Sequence, residues 1–324
     1  MKRRAFLQSA TIPLLGSATG LAGCSFQQRR MECNTMAGTV QKRPFGQTGE
    51  ELSLVGFGAI AVMNEEQSDA NRWVAQAVER GVNYFDVAPS YGNAQDRLGP
   101  ALEPYRKGVF LACKTGERGK DGAIKELHNS LKVLRTDHID LYQLHGLTTI
   151  EDVERVTGSN GALEAFVEAR EKGQIRYIGF SVHSEEAAER VMNAFDFDSV
   201  LFPLNYVAYY QGHFGSRILR KAEEKGIACL ALKALARCIR AKDKPDSTGH
   251  PKCWYEPITD PVEQELALRW TLSHNITAAV PPGHADLFFR ALDIAERFTP
   301  LAVEEQADLE RRSVGLEPIF RTEA

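Results

Sequence analysis

The sequence predicts an α/β fold: an eight-stranded parallel (β/α) barrel with an N-terminal hairpin and an extra C-terminal helix. Three observations carry this reading. Short, continuously apolar runs alternate with segments whose apolar residues recur at helical spacing, which is the pattern of parallel strands covered on both faces. The runs repeat about once per strand–helix unit through most of the 324 residues, and eight such units fit one barrel of ~250 residues better than two domains. Finally, Asp86, Lys114 and His145 end three consecutive runs, where the C-terminal rim of a barrel gathers such residues.

Taken from the start, residues 1–24 read as an export leader. Lys2, Arg3 and Arg4 form a basic region, a mildly apolar stretch follows, and small residues precede Cys24. Arg3-Arg4 with Ala5-Phe6-Leu7 resembles a twin-arginine signal, and Leu21-Ala22-Gly23-Cys24 resembles a lipobox that places a lipid on Cys24. The expected location is therefore exported, periplasmic or anchored to a membrane through that lipid; a start at Met31 or Met36 leaves a cytoplasmic protein instead. The stretch is too polar and interrupted to read as a spanning helix. Residues 25–40 are polar and read as a tether, and 41–324 as the barrel domain.

Gly46 and Gly49 predict a hairpin over 42–53. The strand runs are Leu54–Phe57, Tyr84–Val87, Val109–Cys113, Ile139–Leu144, Arg176–Phe180, Ser199–Leu204, Ile227–Leu232 and Ala278–Val280. Trp73, Val74, Ala77 and Val78 share one helix face between runs, as do Leu163, Phe166 and Val167, and then Phe288, Phe289, Leu292 and Ala295. Gly81, Gly173 and Gly226 mark helix ends. A last helix is predicted over about 301–312. The segment 236–260 breaks the rhythm, being polar and carrying Pro245, Pro251 and Pro257. Long loops of this kind are often functional, and Trp254 and Tyr255 stand ready either to line a pocket wall or to anchor the loop.

The competing architecture is a doubly wound dinucleotide fold, because Gly56-Phe57-Gly58-Ala59-Ile60-Ala61 matches G-x-G-x-x-A after a strand. The match is isolated, and the residues after it do not open a helix. With 43% hydrophobic and 25% charged residues, the composition excludes a collagen, a coiled coil or a disordered tail protein. The net charge of −4 with no long basic run argues against a nucleic-acid partner. Six cysteines are too few for a disulfide scaffold. Cys113 and Cys229 lie in apolar runs and read as buried thiols. Cys238 and Cys253 are close enough in sequence to pair, and with His250 they offer three ligand types; no fourth ligand or regular spacing completes a metal site, so none is expected.

The rim residues form a specific chemical set. Tyr91 follows Asp86 in the turn Ala88-Pro89-Ser90-Tyr91-Gly92-Asn93 and can fold over the same mouth. A phenol near its ordinary pKa is a poor acid at neutral pH, and an adjacent ammonium lowers that pKa. Lys114 supplies the ammonium, Asp86 holds it charged, and His145 beside the phenol orients a carbonyl oxygen. Together they make a proton donor aimed at a carbonyl.

These residues also carry a resemblance. Arg43-Pro44-Phe45-Gly46-Gln47-Thr48-Gly49, Asn83-Tyr84-Phe85-Asp86-Val87-Ala88-Pro89-Ser90-Tyr91-Gly92 and Ile139-Asp140-Leu141-Tyr142-Gln143-Leu144-His145 resemble the aldo-keto reductases, over about residues 42–298. The resemblance implies a carbonyl reductase using NADP(H), with NAD(H) the alternative, in which Tyr91 is the general acid, Asp86 and Lys114 its activators and His145 the substrate-orienting group. It also implies cofactor contacts from Ser181 and His183 after the fifth barrel strand, Asn205 after the sixth and Lys233 after the seventh. Gly283 and Arg290 follow the eighth. Where many members place Lys, Ser and Arg for the adenosine phosphate, this chain has Pro282-Gly283-His284-Ala285-Asp286, and Asp286 opposes a 2′-phosphate.

The leading expectation is an oxidoreductase that transfers a hydride between a nicotinamide and a small carbonyl or sugar-like compound, in either direction, with Tyr91 as acid or base. The alternative is an exported, catalytically silent barrel acting as a binding or sensory protein, motivated by a compartment poor in free cofactor. A metal-dependent sugar isomerase ranks below both, since the rim lacks a cluster of carboxylates and histidines.

Overall fold

Two residues of an N-terminal hairpin, Phe45 and Leu52, fill one end of a ring of strands. The computed structural model describes residues 38–241 and 248–322. The predicted leader and most of the predicted tether lie outside the described residues. β1 (Lys42–Pro44) pairs antiparallel with β2 (Glu51–Ser53), as the two turn glycines predict. Phe45 and Leu52 are fully buried and belong to a separate inner core with Tyr84, Phe110, Leu141, Leu201 and Leu230. The Phe45 ring lies 5.1 Å from that of Phe110 and 5.7 Å from that of Tyr177, edge to face. This aromatic plug closes the barrel floor. Phe45→Ala is expected to cost about 3–5 kcal/mol, read as a fall in denaturation midpoint without a change in slope.

The remaining strands are β3 (Phe57–Gly58), β4 (Tyr84–Asp86), β5 (Phe110–Thr115), β6 (Ile139–Leu147), β7 (Ile175–Val182), β8 (Ser199–Pro203), β9 (Ala228–Leu232), β10 (Ala236–Ile239), β11 (Tyr255–Pro257) and β12 (Ala278–Val280). Eight of them form one parallel sheet in the order β3-β4-β5-β6-β7-β8-β9-β12. The ring closes at a parallel bridge between Val55 and Ala279, where Gly56 N donates to Ala279 O at 2.9 Å and Ala279 N donates to Leu54 O at 2.8 Å. The first predicted run is thus divided: residues 54–56 join β12, and residues 57–58 join β4. The arrangement is a TIM barrel, as predicted.

The G-x-G-x-x-A match has a packing explanation and belongs to no doubly wound sheet. A Cβ on Gly56 would lie 2.3 Å from the Tyr84 ring, and one on Gly58 would lie 2.9 Å from Val280 Cγ1. The chain then enters a 3₁₀ turn at Ala59–Val62.

Around the ring run α1 (Gln67–Glu79), α2 (Ala94–Leu102), α3 (Lys120–Val133), α4 (Ile150–Thr157), α5 (Ala162–Glu171), α6 (Glu185–Ala194), α7 (Tyr206–Gly212), α8 (Ser216–Lys225), α9 (Pro261–Leu272), α10 (Ala285–Glu296) and α11 (Val303–Ser313). The predicted last helix is α11. The β6–β7 and β8–β9 crossovers each carry two helices, α4 with α5 and α7 with α8. Apolar helix faces such as Val74, Ala77, Phe166, Phe288 and Leu292 bury against the outward side of the strands.

The predicted loop over 236–260 is partly ordered into a strand pair. β10 and β11 run antiparallel, and Ala236, Cys253 and Tyr255 bury with Ile319 in a small cluster of their own. Its polar composition and prolines concealed these strands from periodicity. The chain end lies beside this pair: Ile239 N donates to Glu317 O at 3.0 Å, and Thr322 N to Gly212 O at 2.8 Å.

Candidate active site

Alternation along three adjacent strands builds the site. In β4, Tyr84 belongs to the inner core and Phe85 to the outer one; in β5, Phe110 and Ala112 are inner and Leu111 and Cys113 outer; in β6, Leu141 is inner and Tyr142 and Leu144 outer. The period of two then sends Asp86, Lys114, Gln143 and His145 inward. Asp86 stands opposite Ala112, Lys114 opposite Gln143, and His145 two residues beyond Gln143, so the four side chains line successive levels above the apolar floor.

Asp86 and Lys114 form a buried ion pair. The Lys114 ammonium also donates to Val87 O at 3.3 Å. Tyr84 Oη donates to Asp86 Oδ2 at 3.2 Å, and Gln143 Nε2 to the same oxygen at 3.3 Å. The carboxylate is thus held by three groups, two of which, Tyr84 and Gln143, had no assigned role in the sequence reading. Lys114 Nζ lies 5.2 Å from the centre of the Tyr91 ring. The Tyr91 and His145 rings meet edge to face at 5.7 Å, and Ser90 Oγ is 3.4 Å from His145 Nδ1. Tyr91 reaches this place from a tight turn in which its N donates to Ala88 O and Ala94 N donates to its O.

Burial raises the Tyr91 phenol above its ordinary value; Lys114 pulls it back in part, and Asp86 adds to the rise. The ammonium acts as the sequence reading requires, but desolvation is the larger effect, so the group stands protonated. Burial works against the charge on Lys114, yet Asp86 and Tyr91 more than offset it and hold the ammonium above its usual range. His145 is pushed down to about 3 by burial, with Lys114, His183, Arg118 and Lys233 adding to the fall. Its imidazole is therefore neutral throughout the working range. We expect no inflection from it near pH 6.5 in a kcat/KM profile, where an unperturbed histidine titrates.

These groups face a cavity of about 280 Å³ whose walls also include Ser181, His183, Leu232, Lys233, Lys252, Trp254, Pro281 and Gly283. Ser181 Oγ accepts from Gly146 N at 2.7 Å. The His183 ring stacks on Phe320 at 5.0 Å, nearly parallel. A Cβ on Gly283 would lie 2.2 Å from Ile60 Cγ2, so only glycine lets this segment approach the 3₁₀ turn.

All four predicted catalytic residues thus converge, with Ser181, His183, Lys233 and Gly283. Two predicted contacts do not. Asn205 is buried as the N-cap of α7, its Oδ1 accepting from Ala208 N at 2.9 Å, and it does not line the cavity. Arg290 lies on α10 with its guanidinium donating to Pro261 O at 3.1 Å. Asp286 pairs with His250 at 2.9 Å, and Cys238 donates to Glu256 Oε2 at 3.3 Å. Cys238 and Cys253 are not bonded to each other. No group of three or more metal-ligating side chains is assembled among the described residues.

Sequence reasoning missed Lys252 and Phe320. Lys252 Nζ donates to Ala61 O at 2.9 Å and to Glu65 Oε1 at 2.7 Å, strapping the segment before β11 across the mouth. Its partners are too distant in sequence for a local signal. Phe320 sits near the chain end, where no periodicity marks it.

Comparison with known proteins gives this geometry its context. The sequence model of the Aldo/keto reductase family matches residues 54–253. The chain belongs to the aldo-keto reductase family. The matched span contains Asp86, Tyr91, Lys114, His145, Ser181, His183 and Lys233. The chain is 35% identical over 156 residues to the uncharacterized oxidoreductase YqkF of Bacillus subtilis, covering 44% of this chain and 49% of that protein. It is 28% identical over 209 residues to the aldo-keto reductase YhdN of the same organism, covering 59% of this chain and 60% of that one. The matches thus span about half to three fifths of these relatives. Among solved structures, the holo form of aldo-keto reductase AKR11C1 from Bacillus halodurans superposes with a TM-score of 0.69 at 25% identity, covering 88% of this chain and all of that one. Aldo-keto reductases are oxidoreductases that use nicotinamide cofactors.

Proposed function

We propose that this aldo-keto reductase reduces an aldehyde or ketone to the alcohol, or runs the reverse reaction, with Tyr91 as the proton donor. The observation that carries the reading is the convergence of Tyr91, His145 and the Asp86–Lys114 pair on one cavity. The cavity fits a nicotinamide cofactor. Leu232 and Pro281 give it apolar walls, and Gly58 and Gly283 line it with backbone alone. Ser181, Leu232 and Gly283 would hold the cofactor, which supplies the hydride when bound.

The chain's own residues do the rest. Neutral His145 donates a hydrogen bond to the carbonyl oxygen and orients it. As the carbonyl carbon gains the hydride, negative charge develops on that oxygen and Tyr91 transfers its phenolic proton there. Lys114 stabilises the resulting phenolate, and Asp86, fixed by Tyr84 and Gln143, keeps Lys114 charged and aimed. The phenolate then regains a proton from water, completing the balance.

A fluorescence titration of the purified protein with NADPH and with NADH, followed by loss of reduced-nicotinamide absorbance on adding aldehydes, tests this. Saturable binding and turnover support the proposal. Absence of both overturns it and favours the silent binding protein. The same titrations read cofactor preference. At the loop that the resemblance assigns to the adenosine phosphate, the first turn of α10 carries Asp286, paired with His250, while Arg290 is turned onto Pro261, so no cation is offered there to a 2′-phosphate by either residue. Export by residues 1–24 with a lipid on Cys24 completes the proposal on sequence features; Cys24→Ser is expected to move the protein from the membrane to the soluble fraction.

A further inference from the structure

Three lysines line the cavity, and their neutralisation differs. Lys114 is paired with Asp86, and Lys252 with Glu65. Among the described residues, no carboxylate pairs with Lys233. Its ammonium lies instead against two adjoining aromatic rings, 5.5 Å from the centre of Phe320 and 5.9 Å from that of Trp254. An ammonium removed from water without a counter-ion is costly. The backbone of Lys233 is also left-handed, with φ of 61°, a conformation that costs a non-glycine residue about 1–3 kcal/mol. Burial and the nearby Lys114 charge push its pKa down to about 8, so at neutral pH it is still mostly charged.

A second polar group in the same cavity lacks a partner. His183 Nε2 is buried with no hydrogen bond, although its ring is fixed by stacking on Phe320. Burial and the charge on Lys233 lower His183 to about 3, so its imidazole is neutral and one ring nitrogen carries a hydrogen. An ammonium and a neutral imidazole N–H can together take an anion, while the rings hold the ammonium in place.

We propose that Lys233 and His183 form an anion subsite that takes a carboxylate carried by the carbonyl substrate, making a keto- or aldehydo-acid the preferred substrate class. This rests on the reductase reading above. The other source of an anion is a cofactor phosphate, and placement favours the substrate. Lys233 immediately follows β9, which lies across the ring from β5 and Lys114. Lys233 lines the same cavity as Tyr91 and His145. The reacting carbonyl occupies that cavity, whereas the pyrophosphate of a nicotinamide cofactor is separated from its reacting carbon by a whole ribose.

The test compares 4-carboxybenzaldehyde with benzaldehyde in the wild type, Lys233→Met and Lys233→Arg. Alongside it, calorimetry measures binding of 4-(hydroxymethyl)benzoate and benzyl alcohol, which needs no turnover. The wild type is expected to prefer the carboxylated aldehyde by tenfold or more in kcat/KM, chiefly through KM. Lys233→Met should bring that ratio near one and abolish binding of the carboxylated alcohol, and Lys233→Arg should restore part of both. Equal use of the two aldehydes by the wild type overturns the proposal. So does a Lys233→Met variant that weakens NADPH and NADH binding while leaving the ratio intact, since the anion is then the cofactor's. If no aldehyde is reduced but 4-(hydroxymethyl)benzoate binds and Lys233→Met abolishes it, the reductase reading fails and the anion subsite stands. If that binding is absent or survives the substitution, the subsite itself is overturned.

Discussion

Tyr91→Phe is expected to lower the rate of carbonyl reduction by about 10²–10⁴-fold, the usual contribution of a positioned general acid, while leaving nicotinamide binding in place. The ring itself is retained, so its contacts with His145 and Lys114 persist and the cavity keeps its shape. Only the transferable proton is lost. The pH dependence gives a second signature. Burial raises the phenol, so reduction, which needs the protonated form, should persist through neutral pH and decline only as pH climbs past the phenol's elevated value. That alkaline limb should be absent from whatever residual rate Tyr91→Phe retains. Single-turnover rates across pH with cofactor affinity measured in parallel check both parts. Wild-type turnover in the variant would remove Tyr91 from the mechanism.

Lys114→Met is expected to damage stability and activity together, and the two effects are separable. Lys114 and Asp86 are both almost fully buried. Removing the ammonium strands a carboxylate with only Tyr84 and Gln143 as partners. Breaking one side of a buried pair costs about 3–5 kcal/mol, whereas replacing both partners with neutral groups is often close to neutral. Asp86→Asn combined with Lys114→Met should therefore recover most of the lost stability in a denaturant titration. It should not recover turnover, because the phenolate formed at Tyr91 then has no cation beside it. Recovery of both would mean that the pair serves only to hold the barrel together.

Much of the inner wall was legible because a strand repeats every two residues. Once Tyr84, Phe110 and Leu141 are placed on the floor, Asp86, Lys114 and His145 follow on the same side. Contacts that join distant parts of the chain had no such signal. The Lys252–Glu65 strap and the Phe320 stack on His183 exist only after the ring has closed. The residue type of Asn205 serves two purposes: a carboxamide suits a nicotinamide, and it equally suits a helix start. The segment Tyr206–Gly212 that follows it is a helix, and capping won. Arg290 was placed near the mouth by proximity in sequence, but the pitch of α10 carries it round to Pro261.

The hairpin that plugs the floor also gives the molecule a direction. Val40 N donates to Arg80 O, just past the end of α1, so the chain comes into the fold at the plugged end. Thr322, by contrast, lies two residues from Phe320, within reach of the open end. A bead, tag or fluorophore joined directly at residue 38 therefore attaches behind the barrel. The same cargo coupled after Thr322 crowds the opening. For immobilisation or fusion, residues 38 and 322 are not interchangeable handles.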